Sequence, residues 1–249
     1  MQDTGEQFKR QAEFIPRSTW EGVTVHVVGC GGIGSVAALG LAKIGASRII
    51  LYDDDTIELH NVPNQMLTAN GDAMGQPKVA DLGGILLDFG GEHIDVIAEN
   101  RRVTTENPLR IEDREGLHLV LCGPDNMETR KEVFEFCCAR DDVVGFLDGR
   151  MASRFFTLHV VDTNDEAEAK EYLDAFYSTE EAEELPCSDR AVFHTNMVLA
   201  AMICEQARRI LMHAQEALGT IDPEQVFRET PAVNTKVMFD LTNLTLMVD

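Results

Sequence analysis

Two hydrophobic periods alternate along the first two thirds of the chain. Val23–Val28 is a short apolar run of the kind that forms a buried strand. Gly29–Gly34 follows as a loop, and Ile33–Ile44 carries apolar residues at helical spacing. Arg48–Tyr52 reads as a second strand. Lys78–Asp88 reads as a helix with Val79, Leu82, Ile85 and Leu86 on one face. Ile94–Ala98 and His118–Cys122 are further strands, Asn126–Ala139 a helix, and Val143–Leu147 another buried strand. Strands that alternate with helices predict an α/β fold: a doubly wound, largely parallel, Rossmann-like sheet with helices on both faces.

The pattern changes beyond residue 150. Phe155–Val161 alternates as a strand in an antiparallel extension. Residues 162–186, DTNDEAEAKEYLDAFYSTEEAEELP, are strongly acidic and predict a surface excursion with one helical turn near Tyr172–Phe176. Arg190–His213 has the spacing of a long helix, and VNTKVMFDLTNLTLMVD predicts a closing β-hairpin around Thr242-Asn243. The expected organisation is a single domain over 1–249: an N-terminal arm (1–22), a core (23–161), an acidic crossover (162–189), then the long helix and hairpin (190–249).

Composition narrows the function. With 21 basic and 43 acidic residues the net charge is −22, which argues against binding nucleic acid through a broad basic face. No apolar run approaches the ~20 residues of a membrane helix. The polar start MQDTGEQFKRQAEF lacks the apolar centre of a signal peptide, so a soluble, cytoplasmic protein without a membrane partner is expected. The six cysteines, Cys30, Cys122, Cys137, Cys138, Cys187 and Cys204, form no C-x-x-C pair, so no zinc is expected.

Gly29, Gly31 and Gly34 satisfy G-x-G-x-x-G, with Gly32 as a fourth glycine. Absent side chains let such a loop turn tightly and let phosphate approach main-chain amides at a helix N-terminus. Asp53, at the end of the second strand, stands where a carboxylate can take both ribose hydroxyls. These residues alone fix a nucleotide-binding frame and leave NAD open. Two further stretches favour ATP: GQPK at 75–78 supplies a lysine for phosphate charge, and CGPDN at 122–126 a carboxylate beyond a strand end for magnesium. A plain helix cap is the alternative role for Asp125.

Taken together, GCGGIGS, DDDTIELHNVPNQ, GQPK and PDNMETR resemble, in order and spacing, the ThiF/MoeB/HesA family, prokaryotic relatives of ubiquitin-activating enzymes. QFKRQ at 7–11 resembles that family's N-terminal arm motif. The resemblance covers residues 7 to about 160 well and the rest in outline. It implies ATP-dependent adenylation, with release of pyrophosphate, of the C-terminal carboxylate of a small ubiquitin-like, β-grasp protein ending Gly-Gly. A conjugating enzyme or sulfur donor would follow. By resemblance Gly29, Gly31, Gly32 and Gly34 cradle the nucleotide, Asp53 holds the ribose, and Asp55, Asn61, Asn64 and Gln65 shape the site. Lys78 contacts phosphate and Asp125 binds Mg2+. Arg10 acts in the other protomer's site of a homodimer.

The chain departs from the family at Asn64, where an arginine is expected; asparagine brings hydrogen bonds but no charge. Arg150, Arg101 and Arg102 are candidate substitutes. A non-catalytic partner subunit of a heterodimer is therefore an alternative, as is an NAD-dependent oxidoreductase. Cys187, in ELPCSDR, is the candidate nucleophile for a thioester: a helix N-terminus and Arg190 favour its thiolate, while Glu183 and Glu184 oppose it.

Overall fold

The computed structural model describes residues 4–91, 93–111, 116–176, 192–221 and 232–249. The short helix α1 (Thr4–Phe8) and a 3-10 turn (Arg17–Trp20) lead into β1 (Val23–Val28). There follow α2 (Gly32–Ile44), β2 (Arg48–Tyr52), α3 (Lys78–Gly90), β3 (Asp95–Glu99), β4 (Leu117–Cys122), α4 (Met127–Cys138) and β5 (Val143–Met151). The second part comprises β6 (Phe155–Val161), α5 (Glu166–Asp174), α6 (Phe193–Ala217), β7 (Lys236–Asp240) and β8 (Thr245–Val248).

All eight strands form one sheet in the order β3-β2-β1-β4-β5-β6-β7-β8. The first five are mutually parallel; β5 to β8 pair antiparallel. The expected doubly wound sheet with an antiparallel extension is what forms. Alternation along the parallel strands feeds two cores. Val25, Val27, Ile49, Leu51, Leu119 and Leu121 pack with α2, α3 and α6 on one face. Val28, Ile50, Tyr52, Val120 and Phe146 pack with α4 and α5 on the other.

Several boundaries differ from expectation for physical reasons. The strand at 143 continues to Met151, because Phe146–Met151 pair with β6 as a hairpin. The acidic excursion holds a full helix, α5, rather than one turn. Asp165 caps it by accepting the Ala167 and Glu168 N–H groups, and Tyr172 is buried against the second core. The long helix runs on to Ala217, since Arg208, Leu211, Met212 and Gln215 are all buried. Its expected first residues, 190–191, lie outside the described residues.

One polar set is built into the second core. Tyr52 Oη accepts the Arg110 N–H at 2.9 Å and so donates to His26 Nδ1 at 3.1 Å. His26 then carries its proton on Nε2, 3.0 Å from His118 Nδ1. Burial, then the neighbouring His118 and Arg48, push the His26 pKa down to about 3. The folded value lies below the ordinary 6.5, so the unfolded chain takes up a proton that the folded chain refuses between those pH values. Stability from this site is therefore complete above pH 6.5 and is lost as pH falls toward 3. Urea unfolding at pH 7.5, 6.5 and 5.5 should show a declining midpoint. The contribution of one such site is about 1.4 kcal/mol per pH unit at most. His26→Gln should lessen the slope of that acid limb, the remainder of which His159, also pushed down to about 3 by burial, supplies; an unchanged slope in the variant would refute the assignment.

Candidate functional site

The chain leaves β1 for α2 toward one edge of the sheet and β4 for α4 toward the other. The strand order therefore reverses between β1 and β4, which opens a crevice at their carboxyl ends. The loop of residues 29–31 and the segment 123–126 both lie there. Gly123 N–H bonds the Val28 carbonyl at 2.8 Å, and a methyl group on Gly29 would meet Gly123 and Pro124 at 2.9 Å. Gly29 also needs its φ of +86°.

The glycines do different things. A methyl on Gly34 would lie 1.9 Å from the Gly29 carbonyl oxygen, so Gly34 is required by the fold of the loop itself. A methyl on Gly32 would lie 2.6 Å from Asn196 Nδ2 and 3.3 Å from the Asn64 carbonyl; its vacant volume is taken by protein. A methyl on Gly31, the N-cap of α2, would meet nothing within 4 Å, so this is the open position where a ligand can approach the main chain.

Asp53 ties this loop to the end of β2. Its Oδ2 accepts the Cys30 N–H at 2.7 Å and its Oδ1 the Asp55 N–H at 2.9 Å. Burial raises its pKa, while those two bonds and the charge of Lys78 oppose the rise. Lys78 opens α3. Its main-chain N–H bonds the Asp55 carbonyl at 3.0 Å, and its Nζ lies 2.7 Å from Asp55 Oδ2. The lysine side chain is 7% exposed and the aspartate 65%, so a buried ammonium is held by a carboxylate at the rim.

Asn61 anchors the next turn. Its Oδ1 accepts the Glu58 N–H at 2.9 Å, and its carbonyl accepts the Asn64 and Gln65 N–H groups at 3.0 and 3.1 Å. Asp125 is exposed, and the helix cap beside it is Asn126, which accepts the Thr129 N–H at 2.7 Å. The capping role thus falls to Asn126 and leaves the Asp125 carboxylate unspent on α4. Among the described residues, Asp53, Asp54 and Asp55 are the acids close enough to share one cation, yet Asp53 holds the loop and Asp55 holds Lys78. Asp125 offers one carboxylate, the donor set that suits a Mg2+ whose other ligands are phosphate oxygens and water.

The candidate arginines separate clearly. Arg101 lies over the Tyr52 ring at 5.0 Å and bonds Glu99 and the carbonyls of Asn107 and Pro108. Arg150 bonds Asp148 Oδ2 at 2.7 Å and lies over Tyr172 and Phe176. Arg102 pairs with Asp54 at 3.4 Å at the rim, and both are about half exposed. Arg10 is exposed and packs near Lys43, at the far end of α2 from the glycine loop. The 13 residues of α2 span about 18 Å at about 1.5 Å per residue, so Arg10 does not serve the site of its own chain. Cys187, Glu183, Glu184 and Arg190 lie outside the described residues. Cys30, Cys122 and Cys137 are buried, and burial pushes each thiol pKa up, which suits packing rather than nucleophilic chemistry.

Sequence reasoning missed two residues here. Asp148 is fully buried and receives Arg130, Arg150 and the Tyr172 hydroxyl, while Arg130 also bonds the Pro124 carbonyl. It therefore positions the segment that leads to Asp125. Its only sequence signal is an acid inside the apolar run VVGFLDGR. Asn196, in the first turn of α6, is buried against Gly32 and Asn64, and nothing in the local sequence marks it.

This fold and crevice define a doubly wound α/β protein with a topological switch point between β1 and β4, and sequence comparison says which family it belongs to. The chain belongs to the ThiF family, whose pattern is matched by residues 9–242. It is 36% identical over 138 residues to tRNA threonylcarbamoyladenosine dehydratase of Bacillus subtilis (strain 168), which covers 54% of this chain and 53% of that protein. It is 32% identical over 124 residues to ubiquitin-like modifier-activating enzyme 5 of Aedes aegypti, covering 46% and 30%. The chain thus spans about half, or less, of the length of these curated relatives. The structure of E. coli MccB with ATP superposes with a TM-score of 0.67 at 16% identity, covering 94% of this chain and 65% of that one.

The different spaces around the glycines give a paired test. Gly31→Ala should leave the thermal unfolding free energy within about 0.5 kcal/mol of the parent. Gly34→Ala should destabilise by about 3 kcal/mol or more, since neither backbone partner can move freely. Equal melting temperatures for the two variants would contradict the loop geometry.

Proposed function

We propose that the chain binds ATP with Mg2+ in the crevice between β1 and β4 and adenylates a carboxylate, the C-terminal one of a small ubiquitin-like, β-grasp protein ending Gly-Gly. The observation that carries the reading is the gathering of four features at the carboxyl end of the parallel strands. These are the open Gly31, the loop-binding Asp53, the buried Lys78 held by Asp55, and the unspent carboxylate of Asp125. Family membership and the ATP in MccB support it. In the reaction the carboxylate oxygen bonds the α-phosphorus, the bond to the β-phosphate bridging oxygen breaks, and pyrophosphate leaves with the acyl-adenylate retained.

Little covalent chemistry falls to the protein; its work is alignment and charge. Main-chain N–H groups around Gly31 and the α2 N-terminus would receive phosphate oxygens. Lys78 would neutralise phosphate charge from a position fixed by Asp55. Asp53 keeps the loop in register with β2 and retains lone pairs for a ribose hydroxyl. Asp125 would hold Mg2+, which screens phosphate charge when bound. Cys187 would take the acyl group as a thioester, or a conjugating enzyme or sulfur donor would take it directly. Arg10 would act in a second copy's site within a cytoplasmic homodimer. No helix of the described residues is long and apolar enough to cross a membrane.

One observation favours a second reading, a non-catalytic partner subunit. Asn64 brings no charge, and Arg101 and Arg150 are both committed elsewhere. The name of the Bacillus relative points to a tRNA base as the substrate. A net charge of −22 sets this chain against that reading.

Calorimetric titration with Mg-ATP and, separately, with NAD separates these. Saturable Mg-ATP binding, weakened about tenfold or more by Lys78→Ala and by Asp125→Ala, is expected. Pyrophosphate exchange in the presence of a β-grasp protein ending Gly-Gly should follow and should survive Cys187→Ala. Binding of NAD instead would overturn the adenylation reading. Mg-ATP binding without exchange by any such partner would favour the non-catalytic subunit.

A further inference from the structure

Asn196 has no part in the reading above, yet its setting is specific. It is fully buried in the first turn of α6, and its side-chain amide rests on Gly32 at the start of α2. Nδ2 donates to the main-chain carbonyl of Asn64 at 2.7 Å. One turn along α2, the buried Ser35 Oγ accepts the Met66 N–H at 2.9 Å. Residues 64–66 are thus strapped at one point to α6, through Asn196, and at another to α2, whose N-terminus forms the open cradle.

The strap comes at a cost. Among the described residues, Asn196 Oδ1 is buried with no hydrogen-bond partner, as is Gln65 Oε1 beside the strapped carbonyl. An unmet buried acceptor costs on the order of 1–3 kcal/mol. An apolar side chain would remove that unmet acceptor but would leave the Asn64 carbonyl without its donor. What the amide supplies is a donor aimed at one carbonyl. Gly32 matches it: any side chain there would push Asn196 and Asn64 away.

We propose that Asn196 is a positioning residue for the phosphate end of the bound nucleotide. It acts through Asn64, which it holds half-buried beside the glycine loop, at the position where the family resemblance leads one to expect an arginine. The inference rests on the nucleotide reading. With no charge at residue 64, binding there depends on the placement of a neutral amide, and hydrogen bonds from a neutral amide tolerate displacement poorly. Asn196 therefore determines preference for a triphosphate over a monophosphate.

The test titrates the full chain with Mg-ATP and with AMP. Asn196→Ala, Asn64→Ala, the double variant and the isosteric Asn196→Asp are compared. Asn64→Ala keeps the backbone carbonyl and hence the strap. The expected result is about a tenfold weakening of Mg-ATP, less than about twofold for AMP, in each single variant. The double variant should be no weaker than either single one, because both changes remove one unit. Equal weakening for ATP and AMP, or a lower melting temperature with unchanged affinities, would assign Asn196 a structural role and overturn the proposal. An unaltered ATP-to-AMP ratio in Asn64→Ala would overturn it even if the Asn196 variants fail to fold. Absence of saturable nucleotide binding by the parent chain would instead overturn the nucleotide reading, and this inference with it.

Discussion

The candidate site depends on one carboxylate that is spent inside the protein. Asp53 joins the loop after β1 to the turn after β2 through two main-chain N–H groups, and Asp55, fixed by that turn, grips Lys78 at the start of α3. Three chain segments far apart in sequence thereby keep one arrangement. The cost is visible in the raised pKa of Asp53, which burial pushes against the stabilising bonds. Charge-assisted hydrogen bonds are roughly twice as strong as neutral ones, and two of them suffice to hold an ionised acid in a half-buried place.

A second acid organises the other half. Asp148 sits at no exposed surface and draws together Arg130, Arg150 and Tyr172 from α4, β5 and α5. Through Arg130 it reaches the Pro124 carbonyl, so the segment bearing Asp125 hangs from β5 as well as β4. Breaking such a buried cluster by removing one partner is costly because the rest is left uncompensated. These commitments have an electrostatic consequence. Arg101 and Arg150 are used within the protein, Lys78 is paired with Asp55, and Arg102 with Asp54. In a chain of net charge −22, phosphate would therefore be met mainly by main-chain amides and by a cation carried with it.

Local signals made much of this legible in the sequence. The strands, the glycine loop and the helices on both faces follow from period-2 and period-3.6 patterns, and the linked motifs identified the family. What escaped were the facts set by tertiary contact. Gly31, Gly32 and Gly34 read alike as cradle residues, yet only the packed structure separates the open one from the two that protein fills. Arg150 reads as a free substitute for a missing arginine because its sequence gives no hint that Tyr172 and Phe176 flank it. The Asp125-Asn126 pair offers two equivalent caps, and only the helix geometry chooses Asn126. Asn196 lies 132 residues from its partner Asn64, beyond any local pattern.

The two leading functional readings share this backbone and divide on charge. A competent adenylation site must offset the negative charge of a triphosphate as the bond to pyrophosphate breaks. Here the position of the expected arginine holds a neutral amide, and among the described residues two buried acceptors, on Asn196 and Gln65, are unmet around it. A donor aimed from α6 at the Asn64 carbonyl, beside an open glycine at a helix N-terminus, is the physical argument for a ligand there.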